Sequence, residues 1–239
     1  MDRRVAVTGA AGGLGRAIVA RLIDDGLTVA ALDRDADGLA ELVDLHGDAV
    51  QCHTIDLMQP TAIRETFAAI GGLDGLVNNA GTCFMSAFPD IPDQELEAQM
   101  QLNFNAAFHC CQAAVPLMAG RDGVRKIVNI SSNGAYNFDV FDPPHYRASK
   151  AALDTLTKDL ARRYARDRIA VNSIAPAMTE TPLFNVVSAE VLAAAIAQMP
   201  HGRPMQPSEI AAWVGFLMSQ AGDICSGNVI ILNQGRDVR

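Results

Sequence analysis

The sequence predicts a doubly wound α/β fold: a largely parallel sheet of about seven strands with helices on both faces. Three observations lead there. Short apolar runs alternate with longer helical patterns from one end of the chain to the other. The runs are rich in Val and Ile and do not alternate with polar residues, as expected of strands buried on both faces. A glycine-rich loop joins the first run to the first helical stretch, the opening of a βαβ unit.

Strands are expected at Arg4–Thr8, Thr28–Leu32, Ala49–Ile55, Gly75–Asn78, Lys126–Ile130, Ile169–Ile174 and Val229–Leu232. Between them, Arg16–Asp25 places Ile18, Leu22 and Ile23 on one helical face. Helices are also expected at Thr61–Ile70, Asp93–Met118, Ser149–Arg166 and Ser208–Ser219, the last capped by Ser208 in the run Pro207-Ser208-Glu209. No linker, repeat or low-complexity segment divides the chain, so residues 1–239 are expected to form one domain. Pro182–Pro204 fits the alternation poorly. Its Ala-rich stretch Ala189–Met199, with prolines on both sides, reads as an inserted flap over a ligand crevice, with an ordinary surface helix as the alternative.

Composition bounds the function. The chain is 49% apolar and 19% charged, ample for a core and unlike a disordered segment. A net charge of −8 argues against wrapping on nucleic acid, which needs a basic surface. Val5-Ala6-Val7 is too short for a signal peptide's apolar region, and no run reaches the roughly 18–20 apolar residues of a membrane span. A cytoplasmic protein without a membrane partner is the expectation. Cys52, Cys83, Cys110, Cys111 and Cys225 are odd in number and lack metal-ligand spacing, so they read as reduced thiols with no metal site.

Thr8-Gly9-Ala10-Ala11-Gly12-Gly13-Leu14-Gly15 follows the first strand and opens the first helix. Glycines there let the backbone approach a pyrophosphate, and the helix N-terminus offers unpaired N–H groups. Asp33, at the end of the second strand, can accept hydrogen bonds from ribose hydroxyls and would repel a 2′-phosphate, which favours NAD over NADP. Arg34 pulls the other way, because a guanidinium beside the ribose suits NADP. Asp56 and Leu57 follow the third strand, and Asn78-Asn79-Ala80-Gly81 follows the fourth. Both loops fall at carboxyl ends of strands, where open sheets bind ligands; Asn79 can support the strand end, touch the cofactor, or both.

Tyr146-Arg147-Ala148-Ser149-Lys150 places a phenol and an ammonium one helical turn apart. A neighbouring cation favours the phenolate, so Lys150 is expected to lower the pKa of Tyr146 and make it a usable base. Ser131 and Ser132 stand just after the fifth strand, where a hydroxyl can steady charge on a substrate oxygen. Asn103 is awkward in a helix interior and is expected either to hold a relay water or simply to be exposed.

Taken together, Thr8-Gly9-x-x-x-Gly13-x-Gly15, Asn78-Asn79-Ala80-Gly81, Ser132 and Tyr146-x-x-x-Lys150 resemble, in order, the motifs of the single-domain branch of the short-chain dehydrogenase/reductase family. The resemblance covers essentially the whole chain. It implies a Rossmann-type sheet and a catalytic tetrad of Asn103, Ser132, Tyr146 and Lys150. Tyr146 would be the acid/base, Ser132 would position the substrate oxygen, Lys150 would tune the phenol and hold the nicotinamide ribose, and Asn103 would hold a water. It also implies cofactor contacts from Pro176, Thr179 and Thr181, and a homotetramer or homodimer with an interface on the helices Asp93–Met118 and Ser149–Arg166. The chain departs from the pattern at Pro176-Ala177, where Pro-Gly is usual, at Asn233-Gln234-Gly235, where Asp-Gly-Gly is usual, and in a serine-to-tyrosine spacing one residue longer than the commonest.

The substrate pocket is expected to be lined by Phe84, Asn133, Phe138, Phe141, His145 and Phe184, suiting a small apolar or aromatic alcohol or ketone. The expected activity is NAD-dependent hydride transfer on a secondary alcohol or ketone. A carrier-protein-linked 3-oxoacyl reductase using NADPH is the rival enzyme reading, and a non-catalytic dinucleotide sensor is the reading from another class.

Overall fold

The structure, a computed structural model, describes residues 3–138, 142–182 and 188–237. Seven parallel strands form one sheet in the order β3-β2-β1-β4-β5-β6-β7. They are β1 (Arg4–Thr8), β2 (Thr28–Asp33), β3 (Val50–Thr54), β4 (Gly75–Asn78), β5 (Arg125–Ile130), β6 (Ile169–Pro176) and β7 (Val229–Leu232). The helices are α1 (Gly13–Asp24), α2 (Ala36–His46), α3 (Pro60–Ile70), α4 (Asp93–Met100), α5 (Ala106–Met118), α6 (Pro144–Arg163), α7 (Ala189–Ala197) and α8 (Pro207–Met218).

Successive side chains of a strand point to opposite faces, so each strand feeds two cores. Val5 and Val7 pack with Ile18, Leu22, Leu42 and Val214 under α1, α2 and α8. Ala6 packs with Ile63, Phe67, Leu76 and Ala114 under α3 and α5. The winding reverses between β1 and β4, which opens a crevice at their carboxyl ends.

Three expectations need correction. The helix α2 stands where the sequence reading placed none: its charge-rich run buries Leu39 and Leu42, and Asp35 caps it by accepting from the Gly38 N–H at 3.0 Å. The long helix expected over Asp93–Met118 is interrupted by a π turn at Gln101–Asn105 between α4 and α5. The last long helix is capped by Gln206 and not by Ser208. Glu209 reaches back to the Gln206 N–H at 2.7 Å, completing a capping box two residues earlier.

Candidate active site

A cleft of about 810 Å³ runs across the carboxyl ends of β1, β2, β4, β5 and β6. At one end lies the glycine loop. Gly9 takes a left-handed φ of +64°, and a Cβ there would come within 2.9 Å of the Ala80 backbone, so the loop and the β4 end can meet only through glycine. Thr8 does not line the cleft. Its hydroxyl accepts the N–H groups of Asn79 (3.0 Å) and Ala80 (3.1 Å). Asn79 donates its amide to the carbonyls of Thr8 and Gly9, each at 3.0 Å, so its side chain ties together the two strand ends flanking the crevice.

Gly9, Gly13, Leu14 and Gly15 line the cleft, and Gly12 stands at the N-cap of α1 with no side-chain cap on the first-turn N–H groups. Asp33 and Arg34 line it beside them. One Asp33 oxygen accepts from the Ala11 N–H at 3.0 Å and the other from the Asp35 N–H at 3.1 Å. Asp56, Leu57, Ala80, Gly81, Pro176, Thr179 and Thr181 complete this wall.

Tyr146 and Lys150 lie at the other end, on α6, with the Lys150 ammonium 5.9 Å from the centre of the phenol ring. Lys150 donates to the Ile130 carbonyl at 2.9 Å. Burial pulls its pKa down to about 8, against the opposing pull of Asp154 and Cys83. Tyr146 behaves otherwise than the spacing suggested. Burial, reinforced by the charges of Asp142 and Cys83, pushes the phenol above its ordinary value, and a hydrogen bond with Ser132 only partly offsets this. The chain's own groups therefore keep Tyr146 protonated.

Ser132 lines the cleft, accepts from the Gly134 N–H at 3.0 Å and so caps a 3₁₀ turn, Asn133–Ala135. Ser131 is committed elsewhere, donating to Asp154 at 2.9 Å, which leaves Ser132 as the hydroxyl beside Tyr146. Asn103 is buried within the π turn. Its Oδ1 accepts from the Thr82 N–H at 2.8 Å, and its amide donates to the Thr82 carbonyl (2.9 Å) and to Ser149 Oγ (3.0 Å). Both amide protons are spent on positioning the loop after β4 against α6.

The substrate wall differs from expectation. Asn133 lines the cleft. Phe84 sits outside the lining, with Cys83 and Met85 turned in on either side of it. Phe138 is 79% exposed and lies under the Arg147 guanidinium, 5.6 Å from its ring centre. His145 is buried against Glu95 at 3.1 Å and faces α4. Phe141 and Phe184 lie outside the described residues. Met178, Val191, Ala194, Ala195, Gln198 and Arg236 line this wall without having been singled out from sequence. The Ala-rich stretch Ala189–Met199 signalled four of them; nothing local marked Arg236, which arrives from the C-terminal tail. Among the described residues no group of acids, histidines and cysteines is arranged to hold a metal, and no helix is long and apolar enough to cross a membrane.

Residues 3–191 match the family model described as short chain dehydrogenase. The acetoacetyl-CoA reductase of Acinetobacter sp. is 34% identical over 245 residues, covering 98% of each chain. The 3alpha-hydroxysteroid dehydrogenase of Mediterraneibacter gnavus is 32% identical over 236 residues, 94% of this chain and 92% of that one. Among solved structures, the Pseudomonas aeruginosa RhlG/NADP active-site complex superposes with a TM-score of 0.90 at 33% identity, covering 98% of this chain and 96% of that one.

Proposed function

The chain belongs to the short-chain dehydrogenase/reductase family, oxidoreductases that use NAD(P), and from that premise we propose that it moves a hydride between a nicotinamide and a secondary alcohol or ketone, with Tyr146 as acid and base. The observation that carries this reading is a single cleft with Ser132, Tyr146 and Lys150 at one end and the glycine loop at the other.

A dinucleotide suits the loop end, because the uncapped N-terminus of α1 offers N–H groups to an anion and Gly9 keeps the backbone clear. Gly13, Leu14 and Gly15 would hold its pyrophosphate, and Asp33 the adenosine ribose. When bound, the nicotinamide supplies the hydride acceptor or donor. Ser132 donates a hydrogen bond to the substrate oxygen, and Tyr146 Oη takes that oxygen's proton in oxidation or returns it in reduction. A phenol held protonated by burial is a ready donor for carbonyl reduction. Lys150 supplies the positive charge that favours the phenolate in the opposite direction. Asn103 acts through Thr82 and Ser149, keeping the loop after β4 and α6 in register. Residues 188–204, with α7, would cover the substrate.

NAD is the proposed cofactor, on the carboxylate of Asp33. NADP is the second reading, favoured by Arg34 in the same wall and by the NADP complex of a relative 33% identical. With it goes reduction of a 3-oxoacyl thioester, the substrate type of two relatives, an acetoacetyl-CoA reductase and a 3-oxoacyl-[acyl-carrier-protein] reductase.

The test is a turnover screen with NAD and NADP over secondary alcohols, hydroxysteroids and hydroxyacyl thioesters, repeated with Tyr146→Phe. The variant should lose about a hundred- to ten-thousandfold in kcat while still binding cofactor. Near-normal turnover in Tyr146→Phe would overturn the mechanism, and turnover with NADP alone would replace NAD.

A further inference from the structure

Asp154 follows Lys150 by one turn of α6 and is 3% exposed, an acid at a position the helix turns inward. Its carboxylate accepts three hydroxyl hydrogen bonds: from Ser131 at 2.9 Å and Tyr136 at 2.8 Å on one oxygen, and from Ser173 at 2.6 Å on the other. These donors come from the end of β5, from the loop that follows it and from β6. Each is neutral, so the carboxylate is solvated inside the protein without an ion pair in contact.

We propose that Asp154 is the internal counter-charge of Lys150 and a positioning residue for the reacting end. The geometry gives it two effects. Its negative charge, one turn from a buried ammonium, favours the protonated lysine. Its oxygens are covered by three hydroxyls, so it does not capture the ammonium, which donates instead to the Ile130 carbonyl beside the cleft. A direct ion pair at this spacing would draw Lys150 away from Tyr146. The same carboxylate anchors Ser131, next to Ser132, and Tyr136, in the segment that carries Asn133.

Among the described residues, the charged and titratable groups that act on the pair are few. Lys150 faces Asp154 and Tyr146 from its own helix and Cys83 from the loop after β4. Asp154 faces Tyr136 and Lys150, with Ser131 and Ser173 as neutral donors. Asp142 acts on Tyr146 and Cys83. Burial raises the pKa of Asp154, and its hydroxyl donors and Lys150 oppose the rise.

The chain has three lysines, Lys126, Lys150 and Lys158, so NMR of lysine labelled at Cε can follow each ammonium separately. Lys150 should titrate near pH 8 in the wild type. In Asp154→Asn it should titrate lower by roughly one to two pH units, the effect of one charge removed from one helical turn away. Lys126 and Lys158 should not move. Tyr136→Phe keeps the charge and should leave Lys150 where it was while loosening the segment around Asn133. An unshifted Lys150 in Asp154→Asn overturns the proposal. If that variant does not fold, the wild type decides: a labelled Asp154 carboxyl that is still protonated at neutral pH, where Lys150 is charged, also overturns it. The proposal rests on placing Lys150 at the reacting end, yet this readout needs neither substrate nor turnover. It can therefore fail while the hydride-transfer reading stands, and the reverse.

Discussion

The carboxylate of Asp33 accepts the backbone N–H of Ala11 at 3.0 Å, so the acid that ends β2 is also a strut of the glycine loop. Arg16 holds the same residue from the other side, donating to the Ala11 carbonyl at 2.7 Å. Charge and loop geometry are therefore coupled at this position, and substitutions can separate them.

Asp33→Asn keeps an oxygen for the Ala11 N–H and removes the charge. It should shift the NAD-to-NADP preference about tenfold toward NADP, measured as a ratio of kcat/KM values. Asp33→Ala should give the same shift and also weaken both cofactors about fivefold, because the strut is lost. Unchanged preference in both variants would mean that Asp33 does not meet the ribose.

Gly81 carries a different constraint. A Cβ built there lies 3.1 Å from Asn103 Oδ1 and 3.3 Å from Lys150 Nζ, tighter than ordinary contact with both. Gly81→Ala should therefore displace the ammonium and lower kcat by roughly ten- to a hundredfold, with little change in the thermal midpoint. A variant with wild-type kcat would show that the ammonium has room to move.

Lys150 makes activity and stability respond to pH in opposite senses. Its folded-state pKa, about 8, lies below the ordinary 10.5 of the unfolded chain. Between these values the unfolded state holds a proton that the native state has released, so this group's contribution to stability rises with pH. Below about pH 8 the buried charge costs its full amount. The rate should instead fall above pH 8, as the ammonium that favours the phenolate is lost. Urea unfolding of the wild type against Lys150→Met, alongside rate profiles from about pH 7 to pH 10, checks both signs.

The outer faces of α4 and α5 carry exposed apolar side chains next to α6. Leu96 is 44% and Phe108 36% exposed, and Phe104 packs at a tilt against Phe108 with ring centres 6.2 Å apart, beside the buried Leu153 and Leu156. A face of this kind suits a self-association interface on the two long helices. Phe108→Glu should lower the molar mass measured by light scattering, without loss of helical content.

Much of the site was legible because its parts are local. The glycine loop, Asn78-Asn79-Ala80-Gly81 and Tyr146-x-x-x-Lys150 each sit within one turn or one loop, and a strand or helix carries each to the cleft rim. The substrate wall was not legible in the same way. Phe84, Phe138 and His145 are aromatic residues at plausible positions, but an adjacent element claims each side chain or leaves it to solvent. The misplaced cap at Ser208 and the missed helix α2 have a similar cause, since a reciprocal capping box and a charge-rich exposed face are weak signals against composition alone.

The sequence by itself determined the alternation of strands and helices, the carboxyl-end loops and the one-turn pairing of phenol and ammonium, because each depends on spacing along the chain. Only the tertiary structure decided which of two adjacent serines faces Tyr146, that Asn103 spends its amide on Thr82 and Ser149, and that Asp154 stands behind Lys150 in a ring of hydroxyls. It also decided that the phenol's pKa is raised and not lowered. The physical reason is that burial and hydrogen-bond partnership arise between segments distant in sequence, and in a low-dielectric interior they outweigh the local spacing of two charges.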